Sequence, residues 1–407
     1  MYAVITAGGK GTRVASVNHS IPKPLLPIAG KPVLQHQIEC LKRQGIEQIT
    51  FTIGYMGEMI REYFGDGSRF GVKIDYIQEN VPLGTAGALY YLKNSIRDDF
   101  FLINGDLIFD VDLKRMLAFH RVHHATATLL VHPNDHPYDS GLVIADNKGQ
   151  VHGWLVKEDT RGWYRNCVNA GIHILSPQLL EKLDLDREIL KPLIPSGGVY
   201  AYRTPEYVKD MGTPERIAQV EQDLQSGLVQ QKNLSMPQQA VFLDRDGTIN
   251  QYAGFLKRPE DFQLIDGAAE AIRRINRSGY LAIVATNQPV IARGDVTWEQ
   301  LEEIHKKMET LLGQEGAYLD DIFICPHHPD SGFAGEVPAY KIQCGCRKPK
   351  PGLLLQAAEK YNIDLSQSWM IGDSQSDVDA GKAADCQTIM LSEGLDLLGT
   401  VDMIVSG

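Results

Sequence analysis

Short apolar runs and amphipathic runs alternate along almost the whole chain. Strand-like runs at 2–7, 48–53 and 99–103 are interleaved with helix-like runs at 32–44 and 84–95. The stretch from about 125 to 175 is richer in strands, and an amphipathic run at 214–226 has the helical period. Residues 230–239, Gln-Gln-Lys-Asn-Leu-Ser-Met-Pro-Gln-Gln, are polar and carry no apolar period, as a linker would. The alternation then restarts. Strands are expected at 240–243, 281–285, 321–324, 368–371 and 387–391, with helices at 267–277, 298–312, 351–361 and 376–383 between them. This βαβ rhythm predicts a parallel sheet with helices on both faces, so the chain reads as an α/β protein. The expected domains are 1–229 and 240–407, joined by 230–239. In such sheets ligands bind at the carboxyl ends of the strands.

Composition changes this picture little. A chain of 407 residues with 43% hydrophobic and 22% charged residues is ordinary for globular domains and too long for one core. The net charge of −11 argues against nucleic acid as a partner. No apolar run approaches the roughly 20 residues of a membrane span. The chain opens directly on a strand that runs into a glycine loop, leaving no room for a secretory signal, so a cytoplasmic location is expected. Of six cysteines, Cys40, Cys167 and Cys386 stand alone. Cys325, Cys344 and Cys346 cluster beside histidines and read as metal ligands before disulfides in a reducing compartment.

The sharpest chemistry follows strand 240–243. Asp244-Arg245-Asp246-Gly247-Thr248 sets two carboxylates two residues apart at a strand end. One can attack phosphorus; the other can protonate the leaving oxygen and later activate water. Alone, the pentapeptide could be a mere Asp-Gly turn. However, the next strand ends in Thr286-Asn287-Gln288, whose hydroxyl and amide groups suit phosphate oxygens. Arg347-Lys348 brings positive charge ahead of a helix, and Gly372-Asp373 follows a later strand, with Asp377 beyond. Asp244, Asp246 and Asp373 together suit magnesium. This order of motifs resembles the haloacid dehalogenase superfamily.

Cys325-x-His327 and Cys344-x-Cys346 can close a tetrahedral zinc site of three thiolates and one imidazole, structural because protein fills every position. Only a subset of the superfamily carries such a loop. The chain is similar to the D-glycero-D-manno-heptose 1,7-bisphosphate 7-phosphatases and to the related histidinol-phosphatases. Thr286-Asn287-Gln288, Ile291-Ala292-Arg293-Gly294 and Cys346-Arg347-Lys348-Pro349 favour the heptose branch. The resemblance implies substrate contacts by Thr286, Asn287, Arg347 and Lys348. One departure is Pro289-Val290, where that family usually has Ser-Gly; proline removes a backbone donor and stiffens the chain.

The first domain opens on a glycine loop, Ala7-Gly8-Gly9-Lys10-Gly11-Thr12-Arg13, which can offer backbone N–H groups to phosphates. Later come Pro22-Lys23-Pro24, Glu79 ahead of Leu83-Gly84-Thr85, Asn104-Gly105-Asp106, and Asp210-Met211-Gly212. Joining a sugar 1-phosphate to a nucleoside triphosphate needs two anions brought together and a departing pyrophosphate neutralised. Arg13 and Lys23 would hold the triphosphate, Asp106 and Asp210 magnesium, and Lys157 the sugar phosphate. The block resembles the sugar-phosphate nucleotidyltransferases, most nearly the D-glycero-α-D-manno-heptose 1-phosphate guanylyltransferases, with the mannose 1-phosphate enzymes a close second. The resemblance implies substrate contacts by Gly8, Gly9, Gly11, Thr12, Glu79, Gly84, Lys157 and Asn169. Glu79, an acceptor-only group at the base edge, favours guanine with its two adjacent donors, while a uracil N3–H also fits.

Taken together, the resemblances imply two Rossmann-like domains, an N-terminal nucleotidyltransferase fold and a C-terminal haloacid dehalogenase-like fold. They imply consecutive steps toward a GDP-heptose for lipopolysaccharide or another surface glycan, with GTP and sugar phosphates as ligands, magnesium in both domains and zinc in the second. The alternatives are a mannose 1-phosphate guanylyltransferase fused to a histidinol-phosphatase-like or other sugar-phosphate phosphatase, or a sugar-nucleotide sensor fused to one active enzyme. The state of association stays open, a homo-oligomer included.

Overall fold

In a computed structural model of the chain, residues 1–9, 20–79, 87–156, 158–180 and 185–406 are described. The chain divides into two compact units. The first comprises Met1–His132, Val143–Leu155 and Asn169–Asn233; the second comprises Leu234–Gly407 with two earlier segments, Pro133–Leu142 and Val156–Val168.

Among the described residues the first unit is built on a mixed nine-stranded sheet. Within it the strand Tyr2–Ala7 is flanked in parallel by Gln48–Ile53 and Phe100–Asn104. Val168–Leu175 joins the far side of Phe100–Asn104 antiparallel, which makes the sheet mixed. Leu107–Asp110 and Tyr207–Asp210 form a separate two-stranded ribbon. The helix Pro214–Ser226 ends where its sequence says: Thr213 caps the start, proline opens the first turn, and Gly227 closes it in the left-handed conformation. The helix expected over 84–95 is instead, in its described part, a 3₁₀ segment, Gly87–Leu92. Ala88, Leu89 and Leu92 are buried there, so the apolar spacing is real, but Gly87 and adjacent tyrosines support an α-helix weakly.

In the second unit, five strands lie all parallel in the order Asp321–Cys325, Tyr280–Asn287, Gln239–Leu243, Trp369–Gly372, Gln387–Met390. The period of two explains the two-faced core. Val241, Leu243, Ala282 and Val284 pack one way, under the helices Ala268–Arg277, Trp298–Gln314 and Leu397–Val405. Ala240, Phe242, Leu281 and Ile283 pack the other way, under Gly352–Tyr361. The strand at the centre of this order ends at Leu243, so Asp244 emerges at the carboxyl edge of the sheet.

The polar stretch 230–239 is tied down. Leu228–Gln231 is a helical turn, Asn233 donates to Asp110 at 2.7 Å within the first unit, and Gln238 N–H donates to Asn362 at 2.8 Å within the second. Among the described residues no helix is long and apolar enough to cross a membrane.

Candidate active sites and a metal centre

In the second unit the strand ends bring Asp244, Lys348, Asp373 and Asp377 together. Lys348 Nζ lies 2.7 Å from Asp244 and 2.6 Å from Asp377. Both Lys348 and Asp377 are almost wholly buried. Burial raises the Asp244 carboxyl, Lys348 opposes that rise, and the charge of Asp377 adds to it. Asp373 is raised in the same way, by burial and then by Asp244 and Asp377. Burial works against the Lys348 charge, but the two carboxylates outweigh it and hold the ammonium above its ordinary range. The oxygens of Asp244, Asp373 and Asp377 lie within 4.8 Å of one another. Three carboxylates against one ammonium leave an excess of negative charge, which suits a hard divalent cation. Gly247 is required at this spot: its φ is +85°, and a Cβ there would stand 1.9 Å from an Asp373 oxygen.

Asp246 stands outside that trio. Its oxygens accept from Arg245, from Asn250 at 3.1 Å and from Gln288 at 2.9 Å. Gln288 also donates to Thr286, which is buried. Asn287 exchanges two hydrogen bonds with the Lys348 backbone, at 3.0 and 3.1 Å, and so fixes the segment that carries the lysine. A cavity of about 350 Å³ opens over these groups, lined by Asp244, Asp246, Arg347, Lys348 and Asp373, and also by Pro289, Val290, Tyr252 and Phe255. Pro289 and Val290 thus border the cavity in person. Arg245, Asn250, Tyr252 and Phe255 carried no motif signal of their own, because their roles follow from how the loop after Asp246 folds back.

Cys325, His327, Cys344 and Cys346 converge. Sulfur–sulfur distances are 3.3, 3.4 and 3.6 Å, and His327 Nδ1 lies 3.3 Å from Cys346 and 3.6 Å from Cys325. These are too long for disulfides, whose bond is about 2.05 Å. They approach the roughly 3.8 Å edge of a tetrahedron with metal–sulfur bonds of about 2.3 Å. Burial raises the Cys325 thiol, and burial also raises Cys346. At Cys344 burial is outweighed by hydrogen bonds, including the Arg347 N–H at 3.3 Å, and its thiol falls below the ordinary range. The donor set is compatible with zinc. His328 lies outside it and bonds through its backbone to Tyr340. The Arg347 side chain donates to the His327 carbonyl at 3.1 Å, so the cluster also holds an arginine at the mouth of the cavity.

In the first unit the antiparallel register sets Asp210 opposite Leu107, and Met211 N–H donates to the Asp106 carbonyl. Asp106 and Asp210 thereby share one end of the ribbon. Each has a cation: Lys23 lies 2.5 Å from Asp106, and Arg216 makes two bonds to Asp210 at 2.9 and 2.7 Å. Gly105 lies so close to Thr6 that a Cβ would come within 2.5 Å of its carbonyl, which holds the Asp106 turn against the first strand. A Cβ on Gly8 would lie 3.5 Å from Glu79, whereas Gly9 faces open space. Asn169 accepts from His173 at 3.1 Å and from Gly171 N–H at 3.2 Å. Gly11, Thr12, Arg13, Gly84 and Lys157 lie outside the described residues. Arg216 went unnoticed in the sequence because an arginine in a first helical turn reads as surface charge.

Comparison with known proteins places both halves. Residues 2–226 match the nucleotidyl transferase family, and residues 345–400 the HAD-hydrolase-like family. Mannose-1-phosphate guanylyltransferase 1 of Arabidopsis thaliana is 35% identical over 225 residues, 53% of this chain and 62% of the relative. The chain therefore spans less than two thirds of that relative's length. D-glycero-beta-D-manno-heptose-1,7-bisphosphate 7-phosphatase of Yersinia pestis is 43% identical over 152 residues, 37% of this chain and 79% of the relative. The crystal structure of HddC from Yersinia pseudotuberculosis is 29% identical, covers 55% of this chain and 99% of its own, and superposes with a TM-score of 0.49. By these matches the chain belongs to the nucleotidyl transferase family through residues 2–226 and, through its C-terminal half, to the HAD-like family of the heptose-bisphosphate 7-phosphatases.

Proposed function

We propose that the chain is a bifunctional enzyme that makes a nucleotide-activated heptose. The second unit removes the 7-phosphate of D-glycero-D-manno-heptose 1,7-bisphosphate. The first joins the resulting heptose 1-phosphate to GTP, releasing GDP-heptose and pyrophosphate. One observation carries the reading: a chain of the nucleotidyl transferase family also contains a buried Asp244–Lys348–Asp377 cluster and a Cys/His centre in a region 43% identical to a heptose-bisphosphate 7-phosphatase.

In the second unit an Asp244 oxygen attacks phosphorus and the bond from phosphorus to the sugar oxygen breaks. Asp246, protonated, gives its proton to that oxygen. Its carboxylate then takes a proton from the water that attacks the aspartyl-phosphate, and inorganic phosphate leaves. Lys348 offsets the charge on the transferring group, and Arg347 holds the distal end of the substrate. A magnesium ion held by Asp244, Asp373 and their neighbours would neutralise phosphate charge. In the first unit Lys23, with Arg13, holds the triphosphate while Glu79 accepts from the guanine edge. Asp106 and Asp210 would hold magnesium there, and Lys157 and Asn169 the sugar phosphate. We assign zinc to the Cys/His centre as a structural ion. Its reduced thiols fit work in the cytoplasm.

The test is a substrate panel on the full chain. It scores phosphate and pyrophosphate separately for both anomers of the heptose bisphosphate and 1-phosphate, and for mannose 1-phosphate and histidinol phosphate, with each nucleoside triphosphate. Phosphate from the heptose bisphosphate and pyrophosphate only with heptose 1-phosphate and GTP are expected. A preference for mannose 1-phosphate would refute the heptose assignment, and the guanylyltransferase relatives make that the competitor to beat.

A further inference from the structure

Arg245, between the two aspartates of the phosphatase loop, has no exposed side-chain surface. Its Nε donates to Asp246 Oδ1 at 3.2 Å, and its Nη2 donates to both carboxylate oxygens at 2.8 and 2.7 Å. Its Nη1 lies 3.2 Å from Nε2 of His305, on the helix Trp298–Gln314. A guanidinium has donors and no acceptor. His305 Nε2 is therefore the acceptor, and the ring is neutral with its proton on Nδ1. The Nδ1–H is buried and has no hydrogen-bond partner among the described residues, and the electrostatic surroundings keep the ring uncharged. His305 is fully buried, and burial, then the charges of Arg245 and Arg165, push its pKa well below the ordinary value. Arg165 belongs to the segment Val156–Val168 of the same unit and lies 3.3 Å from Glu309, one helical turn beyond His305.

We infer that His305 is a positioning residue for dephosphorylation: by accepting the hydrogen bond from Arg245 it fixes the guanidinium fork that orients both oxygens of Asp246. This rests on Asp246 being the acid and base of the reaction. An acid–base group must point its proton at one oxygen, first the leaving group and then water. Asn250 and Gln288 each touch Asp246 once, whereas Arg245 grips it through three contacts. The fork's orientation is set from its far end. An apolar partner at 305 would leave a buried N–H without an acceptor and let the fork turn toward any other one.

Full-length wild type, His305→Leu and His305→Gln are to be compared on D-glycero-D-manno-heptose 1,7-bisphosphate, with kcat and KM for phosphate release and the unfolding temperature of each. The leucine variant should lose roughly ten- to a hundredfold in kcat with KM within about twofold, and glutamine, whose amide oxygen accepts from Arg245, should return to within about threefold of wild type. Equal kcat in all three overturns the proposal. So do equal losses in both variants that follow a fall in unfolding temperature, since these mark mere packing. Should the leucine variant fail to fold, Arg245→Lys, which keeps charge but loses the fork, must show the same kcat-selective loss; wild-type kcat there also overturns the proposal. Wild type that releases no phosphate refutes the phosphatase reading itself, a result separate from any difference among variants.

Discussion

Lys348 shows how much chemistry one buried side chain can organise. It holds the carboxylates of Asp244, the proposed nucleophile, and Asp377 at ion-pair distance, and Asn287 fixes its backbone. On the proposed function, the two reactions should depend on separate single residues. Asp244→Asn should lower phosphate release by at least about a thousandfold and leave pyrophosphate release unchanged, and Asp106→Ala should do the converse. Assaying both activities on both variants checks this; parallel losses at unchanged stability would refute two independent sites. A pH effect belongs at the same scale. Burial pushes His173 down to about 4. The unfolded chain, with an ordinary histidine near 6.5, binds more protons below that pH. The stabilisation is therefore whole above about 6.5 and is lost as pH falls toward 4, about 2 kcal/mol of it between pH 7 and 5. Urea unfolding of wild type and His173→Gln at both pH values should show a shallower pH slope in the variant. Asp244, Asp246, Lys348 and Asp373 were legible in the sequence because each sits in a short motif at a strand end or helix start. Arg245 was visible but mute, since its partner His305 is far along the chain and shares no local pattern with it.

Among elements, the loop between Cys325 and Cys346 carries the Cys/His cluster that we assign to zinc, so its shape should depend on that metal. Cys325 ends a strand and is fully buried, whereas Cys344 and Cys346 sit on the approach to the helix Gly352–Tyr361. Arg347 is tied to both halves of the centre, through the Cys344 sulfur and the His327 carbonyl. Loss of the metal should therefore be felt in substrate binding before chemistry. Cys344→Ser should abolish bound zinc by elemental analysis and raise KM for the bisphosphate by about tenfold while kcat holds; a fall in kcat with unchanged KM would place Arg347 elsewhere. Strands and helices with strong period or clear caps, such as Pro214–Ser226, were readable locally. The 3₁₀ segment Gly87–Leu92 was not, because i, i+3 and i, i+4 burial is shared by both helix types and only the hydrogen-bond pattern separates them.

At the scale of the molecule, the segment Val156–Val168 lies within the stretch that matches the nucleotidyl transferase family yet groups with the second unit. The Tyr164 N–H donates to the Thr310 hydroxyl, which lies 3.3 Å from the Tyr164 carbonyl, and Asn166 N–H donates to the buried Glu309 at 2.8 Å. A fragment starting at Leu234 would lack these partners. It should lose roughly 2 kcal/mol and unfold about 4–8 °C below the matching transition of the full chain, as calorimetry would measure; equal transitions would show that the segment adds no stability. The order of motifs along the chain was enough to read the two family resemblances, the parallel second sheet and the placement of Asp244 at a strand end. Those features are written in runs of a few residues, where strand period, glycine and paired acids act through neighbours. Contacts between distant segments decided the rest: that Asp377 rather than Asp246 completes the carboxylate trio, that His305 stands behind Arg245, and that a piece of the first half docks on the helix Trp298–Gln314. Such contacts depend on which surfaces the folded core brings within a few ångströms, and no local period encodes that.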